Sequence, residues 1–388
     1  MNQVELIATA TFGLEAVLAE EVKKLGYADA VVENGKVTFT ADWGAICRAN
    51  LWLRTADRIR LKVGEFKATT FDELFEKTKA LPWPELIPGD AVFPVAGKSV
   101  KSTLFSISDC QAIVKKAVVE SMKKKHHQEW FEEKGPLYPL EVAMLKDVAT
   151  LTIDTSGAGL HKRGYRESAG EAPLRETLAA ALVLLSRWHP DTVLWDPLCG
   201  SGTIPIEAAL IGRNIAPGMN RTFASESWPT ISKDLWRQAR RETHDQAEFS
   251  KPLDLIGTDI DERLLKTARR NAAAAGVDDC IHLQHMPVSE IQTRKKYGKI
   301  ICNPPYGERL GAQREVEILY REMGKTFSRF DTWSFYVLTA HPFFEKLFGR
   351  PASKKRKLYN GNIQANYYQY YGPRPPRPAK EIKSKDGI

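Results

Sequence analysis

Short apolar runs alternate with stretches of helical periodicity through most of this chain. Residues 4–9 predict a strand, and residues 14–25 predict a helix because apolar side chains recur there three and four positions apart. Gly26 follows that helix, as is typical of a helix C-terminus. An Asn-Gly pair at 34–35 between two apolar runs predicts a β-hairpin. Strand, helix and hairpin together predict a small α+β unit over residues 1–65, without a candidate catalytic residue.

The same alternation continues over residues 66–155. It predicts a helix at 71–80, a short strand at 91–95 and a further strand at 148–153. Between the strand at 91–95 and the next helix of this unit, residues 97–102 contain Gly, Ser and Lys and predict a flexible basic loop.

A further helix is predicted at about 110–125. Its C-terminal end carries Lys123, Lys124 and Lys125. Lysines in such a run usually form a solvated helix face. Because these lie near a basic loop, we predict that they contact the phosphate backbone of a nucleic acid.

A glycine-rich basic segment, residues 156–172, follows this half of the chain. Lys162, Arg163 and Arg166 surround Tyr165 there. Cations can contact phosphates and a tyrosine ring can stack on a base, so we predict a hinge that binds RNA. The alternative is a basic interdomain linker.

Residues 173–373 show the element order of a doubly wound α/β domain. A helix predicted at 173–188 precedes a buried-type strand at 193–195, a glycine-containing loop and an apolar helix at 204–211. This order binds nucleotides in open parallel sheets. The third glycine of the dinucleotide fingerprint is replaced by Pro205, which argues against a dinucleotide.

The next predicted strand, at 255–258, ends in Asp259 and Ile260. An acid after the second strand of such a domain typically binds ribose hydroxyls. Its distance from the glycine loop exceeds the usual spacing of about 20 residues, and an insertion at 212–252 accounts for the excess. The remaining strands of the sheet are predicted at 281–284, 299–302, 333–339, 357–359 and 367–371.

Residues 303–306, Asn-Pro-Pro-Tyr, end an apolar strand, since proline has no N–H for a β-ladder. The amide oxygen of Asn303 and the carbonyl oxygen of Pro304 are two acceptors beside the aromatic face of Tyr306. This set suits a planar exocyclic amino group that must be held and polarised. For four residues taken alone, the alternative is a proline-rich strand exit without chemistry.

Composition adds the class of protein and its expected partner. The chain has 388 residues, of which 43% are hydrophobic and 27% charged, which predicts a soluble protein of two or three domains. A formal net charge of +8 favours a polyanionic partner. The lack of a membrane-length apolar run, of a signal-peptide pattern and of a Cys-x-x-Cys pair predicts a reduced cytoplasmic protein without a metal site. We expect a monomer, and we expect residues 374–388 to be disordered.

Three motifs of the last domain resemble, in order, those of S-adenosylmethionine-dependent amino methyltransferases. They lie at residues 196–203 (Asp-Pro-Leu-Cys-Gly-Ser-Gly-Thr), 257–261 (Gly-Thr-Asp-Ile-Asp) and 303–306. Residues 160–166 (Leu-His-Lys-Arg-Gly-Tyr-Arg) and the insertion motif at 214–221 add to this resemblance. With them, the chain is similar to the bacterial THUMP-domain ribosomal RNA guanine-N2-methyltransferases over nearly its whole length, to about residue 372.

The resemblance implies a Rossmann-like class I methyltransferase domain with a mostly parallel seven-stranded sheet, preceded by a ferredoxin-like unit and an RNA-binding THUMP domain. It implies methylation of a guanine 2-amino group in RNA. The resemblance favours 23S rRNA, and a tRNA guanine stays open as the alternative. The implied catalytic residues are Asn303, Pro304 and Tyr306. The implied S-adenosylmethionine-binding residues are Asp196, Gly200, Gly202, Thr203, Asp259, Ile260, Met286 and Asn303. The family's acid for the adenine amine has no counterpart near Met286, so we expect backbone groups to serve there.

Other functions stay open from the residues. Cys302 beside Asn303 suits the nucleophile of a base-carbon methyltransferase, although two acceptors for an amine argue against that chemistry. Methyltransferases that act on DNA adenine or on a protein glutamine amide use the same Asn-Pro-Pro-Tyr arrangement to hold an amino group. The basic N-terminal half of this chain favours RNA over both. A non-catalytic RNA-binding assembly factor is disfavoured by the intact glycines and Asn303.

Overall fold

The first half of the chain forms one continuous seven-stranded sheet. The computed structural model describes residues 3–127, 129–166, 174–307 and 312–376. The sheet order is β2-β3-β1-β4-β7-β6-β5, and every neighbouring pair is antiparallel except β5 with β6. Its strands are β1 (Val4–Thr9), β2 (Val31–Glu33), β3 (Lys36–Ala41), β4 (Arg58–Lys67), β5 (Val95–Val100), β6 (Leu140–Leu145) and β7 (Val148–Asp154).

Strand β4 joins two units that the sequence separates. It pairs with β1 through residues 58–62 and with β7 through residues 60–67, with a register irregularity between Lys62 and Gly64. The predicted boundary at residue 65 therefore falls inside a strand. The helices of this half are α1 (Glu15–Lys24), α2 (Gly44–Trp52), α3 (Phe71–Lys79), α4 (Trp83–Leu86) and α5 (Ile107–His126).

The second half forms a seven-stranded, mostly parallel sheet, as the sequence predicts. The order is β10-β9-β8-β11-β12-β14-β13. The first five strands are parallel, and β14 is antiparallel to both of its neighbours. The strands are β8 (Leu194–Asp196), β9 (Leu255–Asp259), β10 (Ile281–His285), β11 (Lys299–Cys302), β12 (Ser334–Thr339), β13 (Lys354–Asn360) and β14 (Ile363–Tyr370).

The chain order reverses at β8, because β9 and β10 lie on one side of it and β11 and β12 on the other. Open parallel sheets bind ligands at this kind of switch point, beyond the carboxyl ends of the strands. The helices of this half are α6 (Glu176–Leu185), α7 (Thr203–Gly212), α8 (Lys233–Asp245), α9 (Glu262–Ala274), α10 (Ala312–Phe327) and α11 (Phe344–Phe348).

The insertion between α7 and β9 packs the two halves together. The Trp228 ring stacks on Tyr138 of the first half, with centroids 4.3 Å apart, and its indole N–H donates to the Leu137 carbonyl at 2.9 Å. The Gly218 amide donates to the Leu51 carbonyl at 2.9 Å. These buried contacts dock the first half directly against the domain that contains the switch point.

Two sequence predictions for the first half are wrong. Residues 91–95 do not form the predicted strand, and Val92 makes only an isolated bridge with Leu137. The sequence predicts a flexible loop at residues 97–102, but residues 97–100 belong to edge strand β5. An edge strand with one solvated face needs little hydrophobic signal, since its backbone pairs with β6 whatever its side chains are.

The glycine-rich segment predicted as a hinge is packed in its described part, residues 156–166. Residues 167–173, which include the first residue of the helix predicted at 173–188, lie outside the described residues. So does most of the tail predicted to be disordered, residues 377–388. None of the helices in the described ranges combines the length and apolar composition needed to cross a bilayer. Across those same ranges, no three His, Cys, Asp or Glu side chains gather as a metal site requires.

Candidate active site

The carboxyl ends of three adjacent strands converge at the switch point. Asp196 ends β8, Asp259 ends β9, and Asn303 follows the last residue of β11. Since β8 pairs with both β9 and β11, these three polar side chains meet at one edge of the sheet. The structure therefore brings together the predicted cofactor residues and the predicted catalytic residue.

The loop between β8 and α7 is fixed to the neighbouring strand by its backbone. The Cys199 amide donates to the Thr258 carbonyl at 3.0 Å, and the Gly200 amide donates to the Asp259 carboxylate at 2.8 Å. Gly200 and Gly202 have φ angles of +54° and +82°, which side chains rarely adopt.

The two glycines serve different purposes. A Cβ at Gly202 would lie 3.1 Å from the Cβ of Ala268, so this glycine lets α7 approach α9 closely. A Cβ at Gly200 would meet nothing within 4 Å, so the space beside its backbone is open. A ligand can approach the loop there, next to the amide groups at the start of α7.

Asp259 is 8% exposed and accepts hydrogen bonds through both carboxylate oxygens. One oxygen accepts from the Gly200 amide, and the other accepts from the Asp261 amide at 2.9 Å. Each carboxylate oxygen has two lone pairs, so acceptor capacity remains on both. A fixed carboxylate with spare acceptors beside an open glycine loop fits a ligand with neighbouring hydroxyl groups, such as a ribose.

Asp196 is 1% exposed, and the Leu198 amide donates to its carboxylate at 3.1 Å. Burial, followed by the negative charge of Asp259, raises the pKa of Asp196 well above its usual range. A positively charged group bound nearby would oppose that rise. The site is therefore suited to a ligand that carries positive charge close to Asp196.

Asn303 and Tyr306 contact each other in this structure. The Tyr306 hydroxyl donates to the Asn303 side-chain oxygen at 2.6 Å. The turn itself is held from α10, because the Tyr320 hydroxyl lies 2.7 Å from the Pro305 carbonyl, to which it donates, and 2.8 Å from the Thr339 hydroxyl. An incoming amino group that uses the Asn303 oxygen must therefore compete with the Tyr306 hydroxyl.

Cys302 is fully buried at the end of β11. Burial, together with the charge of Asp196, raises the pKa of its thiol well above the usual range. A thiol without solvent access and without a thiolate form at neutral pH is a poor nucleophile. The geometry thus argues against the base-carbon alternative.

Ile260 and Met286 lie beside Asp259. The Ile260 side chain is 67% exposed at the sheet edge, and the Met286 amide donates to the Asp259 carbonyl at 3.1 Å. An exposed isoleucine offers an apolar surface for a flat ring. Both residues therefore lie next to Asp259, and their contact with a cofactor stays a prediction.

Arg163 and Tyr165, predicted to contact RNA, are buried instead. The Arg163 guanidinium lies 3.5 Å from the Glu207 carboxylate and donates to the carbonyls of Leu160 and Arg54. The Tyr165 hydroxyl donates to the same carboxylate at 3.1 Å. The two side chains are 5% and 4% exposed, so the prediction is wrong for both.

Arg166 is also turned inward, toward the loop between β8 and α7. It donates to the Thr203 hydroxyl at 2.5 Å and to the Leu174 carbonyl at 3.2 Å, and it lies 3.4 Å from the Glu176 carboxylate. Thr203 is the first residue of α7, directly after Gly202. The predicted hinge segment therefore positions the start of the helix that carries the glycine loop.

The sequence does contain a signal for these internal partners. Glu207 is the single charged residue in the otherwise apolar helix α7. A carboxylate on a buried face needs a cation and hydrogen-bond donors. Its presence indicates that basic residues elsewhere in the chain are used internally.

The lysines at the end of α5 differ from that segment. Lys123 lies 3.2 Å from both Glu120 and Glu129, and Lys125 is exposed. The side chain of Lys124 lies outside the part that the structure describes. Lys162 belongs to the packed segment but is exposed on its solvent side. RNA contact by these four lysines stays a prediction.

Three family descriptions match consecutive parts of the chain. An RlmL ferredoxin-like domain matches residues 5–60, a THUMP domain matches residues 68–154, and an RMKL-like methyltransferase domain matches residues 163–369. The matched ranges place the glycine loop, Asp259 and Asn303 within the methyltransferase domain.

Similar proteins extend over nearly the whole chain. It is 56% identical over 373 residues to "Putative RNA methyltransferase YpsC" of Bacillus subtilis (strain 168), covering 96% of this chain and 97% of that protein. A crystal structure of a "predicted N6-adenine-specific DNA methylase" from Listeria monocytogenes is 58% identical with a TM-score of 0.92, covering 96% and 97% of the two chains.

A third similar structure is that of "SMU.472, a putative methyltransferase complexed with SAH". It is 47% identical with a TM-score of 0.92, and the match covers 97% of this chain and 100% of the other. The methyltransferase match alone spans more than half of the chain. This chain therefore belongs to the THUMP-containing methyltransferase family that joins an RlmL-type ferredoxin-like domain to an RMKL-like methyltransferase domain.

Proposed function

We propose that this protein uses S-adenosylmethionine to methylate the 2-amino group of a guanine in RNA, most specifically in 23S rRNA. The observation that carries the proposal is the position of Asn303, an amide acceptor at the end of β11 beside Asp196 and Asp259. The cofactor, when bound, supplies an electrophilic methyl group on a positively charged sulfur.

The residues present fit this cofactor. Asp259 has spare acceptors for ribose hydroxyls, Gly200 leaves open space beside the backbone, and Asp196 favours positive charge nearby. Gly202 and Thr203 shape the start of α7, and Ile260 and Met286, which lie beside Asp259, would contact the adenine ring of a bound cofactor. The S-adenosylhomocysteine complex of the 47% identical relative supports this assignment.

Asn303 and Pro304 act on the target amine. Their two oxygens accept hydrogen bonds from its N–H groups. These hydrogen bonds turn the nitrogen lone pair out of conjugation and toward the methyl group. Fixed acceptors also favour the positive character that the nitrogen gains as the bond from the methyl carbon to sulfur breaks and the bond to nitrogen forms, and the surplus N–H proton then passes to water. The Tyr306 hydroxyl leaves Asn303 as the amine arrives, and the ring then stacks on the base. The guanine is single-stranded or flipped out of a helix.

RNA is proposed over DNA, although similar proteins carry names of both kinds. A THUMP domain shares a continuous sheet with the ferredoxin-like unit and is docked on the methyltransferase domain. The net charge of +8 and the lysines at the end of α5 favour a polyanion. Guanine as the base and 23S rRNA as the molecule follow from the motif resemblance, and an rRNA substrate implies a cytoplasmic enzyme.

Single-turnover methyl transfer by three variants tests the proposed chemistry. We expect Asn303→Ala to lower the chemical step about a hundred- to thousandfold, or about 2.7–4 kcal/mol, because one preorganised acceptor is removed. Asn303→Asp keeps the acceptors and should retain more activity than the alanine variant. Cys302→Ala is the matched control and should stay near wild type. A dead cysteine variant beside an active Asn303→Ala would contradict the proposal.

Mass spectrometry of RNA nucleosides tests the base and the molecule. A strain without this gene should lose one N2-methylguanosine from 23S rRNA. Loss of the mark from tRNA would correct the molecule, and loss of N6-methyladenosine would overturn the base. Restoring the mark with wild type but not with Asn303→Ala links it to this site.

A further inference from the structure

A second cleft lies beside the amino ends of the parallel strands of the methyltransferase sheet, whereas the candidate active site lies at their carboxyl ends. Its volume is about 760 Å³. One wall is α1 of the ferredoxin-like unit, and the other is formed by the turn after α6 and by β11 to β14. Lys299, its residue in β11, is the first of that strand, whereas Asn303 follows its last. The strand rise of about 3.3 Å per residue separates the two sites by roughly 13 Å along the strand.

The cleft is strongly basic. A single carboxylate, that of Glu20, faces five cationic side chains. Within the described ranges, none of the five forms an ion pair, although other cations around this sheet, such as Arg213, Lys295 and Lys355, do. We call this set the basic cleft; its cations are Arg187, Lys299, Lys354, Arg356 and Arg374.

Two of these cations are half-buried and have no carboxylate partner among the described residues. The Lys299 ammonium donates to the Ser186 carbonyl, and burial together with the charge of Arg187 lowers its pKa to about 8. One terminal nitrogen of Arg356 is buried and lacks a hydrogen-bond partner. An anion bound between them would supply the missing acceptor and offset the repulsion between Lys299 and Arg187.

The fold presents these charges rather than neutralising them. In the turn that follows α6, Arg187 has the left-handed conformation, at φ +52°, and its amide donates to the Leu184 carbonyl at 3.0 Å. This turn is a common helix C-terminus, and here it places Arg187 on the cleft. Lys354 and Arg356 share one face of β13 because side chains alternate along a strand.

Aromatic side chains stand among the cations. Tyr371 is 55% exposed and Tyr297 is half-buried, whereas Tyr336, at 4% exposure, lies beneath the cleft and is not open to a base. A groove of cations that contact phosphates, with rings on which bases stack, is the usual composition of a single-stranded nucleic acid site. A site for an isolated small anion would not need the exposed ring.

We propose that the basic cleft binds the phosphate backbone of the RNA substrate, at a segment separate from the nucleotide in the active site. This inference rests on the RNA substrate proposed above. Because the cleft and the catalytic residues occupy opposite edges of one sheet, a short RNA fills only one of them. Longer RNA contacts both, and its binding depends on the cleft.

The test compares two double variants of equal charge change. Arg187→Ser with Lys354→Ala removes two exposed cations of the cleft. Lys355→Ala with Lys357→Ala removes two exposed cations from the opposite face of β13 and is the matched control. All four side chains lie at the surface, and equal melting temperatures verify that folding is intact.

Binding of single-stranded oligouridylates of increasing length is measured by fluorescence anisotropy over a range of salt concentrations, without cofactor. For long oligomers, the cleft variant should lower affinity about tenfold or more at 0.1 M salt, and the salt slope should fall by about 1.4, or 0.7 for each phosphate that is no longer neutralised. Short oligomers and the control variant should keep wild-type slopes.

Three outcomes overturn the proposal. An equal loss in the control variant would show only general electrostatic attraction. If the cleft variant keeps the wild-type salt slope for RNA of every length, the five cations are ordinary solvated surface charges. If inorganic pyrophosphate raises the melting temperature of wild type but not of the cleft variant while RNA slopes stay equal, the cleft binds a small anion instead. Because no methyl transfer is measured, these outcomes are independent of the Asn303 experiments.

Discussion

Two basic stretches of this chain resemble each other in sequence and differ in structure. The inner segment, residues 160–166, has three cations and a tyrosine, and the lysine end of α5, residues 123–125, has three cations. Arg163 and Tyr165 of the inner segment are almost fully buried against Glu207. In the lysine end, Lys123 is partly exposed and Lys125 is exposed.

The difference teaches that a cation's role is set by where its partner lies. Buried Glu207 needs compensation because an unpaired charge in an apolar interior is costly, and Arg163 supplies it across 44 residues of chain. At the lysine end, the partners of Lys123 are Glu120 and Glu129, which are not buried, and Lys125 is exposed to solvent. Contact of these lysines with a polyanion stays a prediction.

The largest effect is expected from breaking the inner segment. Arg163→Ala leaves the Glu207 carboxylate buried without its cation, which should lower the free energy of unfolding by about 3–5 kcal/mol. Lys162→Ala, its neighbour on the solvent side, should change it by less than about 0.5 kcal/mol. Urea denaturation measures both. An Arg163→Ala protein of normal stability but weakened RNA binding would restore the RNA-contact prediction.

A smaller effect is expected from Arg166, which contacts the start of α7 rather than the cofactor itself. Arg166→Ala should weaken S-adenosylmethionine binding about three- to tenfold, since one charged hydrogen bond that positions Thr203 is removed. RNA affinity should be unchanged. Calorimetric titration with each ligand separates the two. Asp259→Ala is the reference variant, and we expect its cofactor affinity to fall at least about tenfold because it would contact the ribose directly.

The lysine end should show the opposite selectivity. Lys123→Ala with Lys125→Ala should weaken RNA binding and reduce the salt slope by about 0.7–0.9 for each phosphate that these lysines neutralise. Cofactor affinity should stay at the wild-type value. Lys125 should contribute more than Lys123, because Lys123 is paired with Glu120 and Glu129. An unaltered salt slope would assign both lysines to a solvated face.

The smallest effect is a pH dependence within the inner segment. Burial, and then the positive charge of Arg175 and its neighbours, lowers the pKa of His161 from 6.5 to about 4. Between pH 6.5 and 4 the unfolded chain binds more protons at this position, so stability falls as the pH falls through that window. His161→Gln should remove part of that fall.

The expected size of the His161 contribution is a change in melting temperature of about 2–4 °C, because the side chain is half-exposed. Melting curves of wild type and His161→Gln at about pH 7, 5.5 and 4 measure it. Parallel pH dependence of the two proteins would show that His161 titrates normally.

Most elements of the methyltransferase sheet could be predicted from sequence. Strands β8 and β11 are covered on both faces and therefore consist largely of apolar residues in sequence. Strand β5 could not be predicted in the same way, because it lies at a sheet edge and alternates half-buried with exposed residues. Its position follows from backbone pairing with β6, which leaves no trace in its side-chain pattern.

For the candidate site, sequence motifs identified Asp196, Asp259 and Asn303 because each directly follows or ends an apolar strand. Parallel strands present their carboxyl ends at one edge, so local patterns suffice to bring such residues together. The hydrogen bond from Tyr306 to Asn303 could not be predicted in this way. It depends on the conformation of the turn after two prolines, which the residue types alone do not specify.

The sequence by itself thus determined the alternation of strands and helices in most of the chain, the glycine loop and the polar residue types at the strand ends, since all of these arise from local periodicity and fixed strand polarity. Only the tertiary structure decided which cations face inward and which face solvent. The pairing of Arg163 with Glu207 and the gathering of Arg187, Lys299 and Lys354 join residues from distant parts of the chain. The cost of burying a charge depends on the neighbours that folding supplies, and no local pattern records those neighbours.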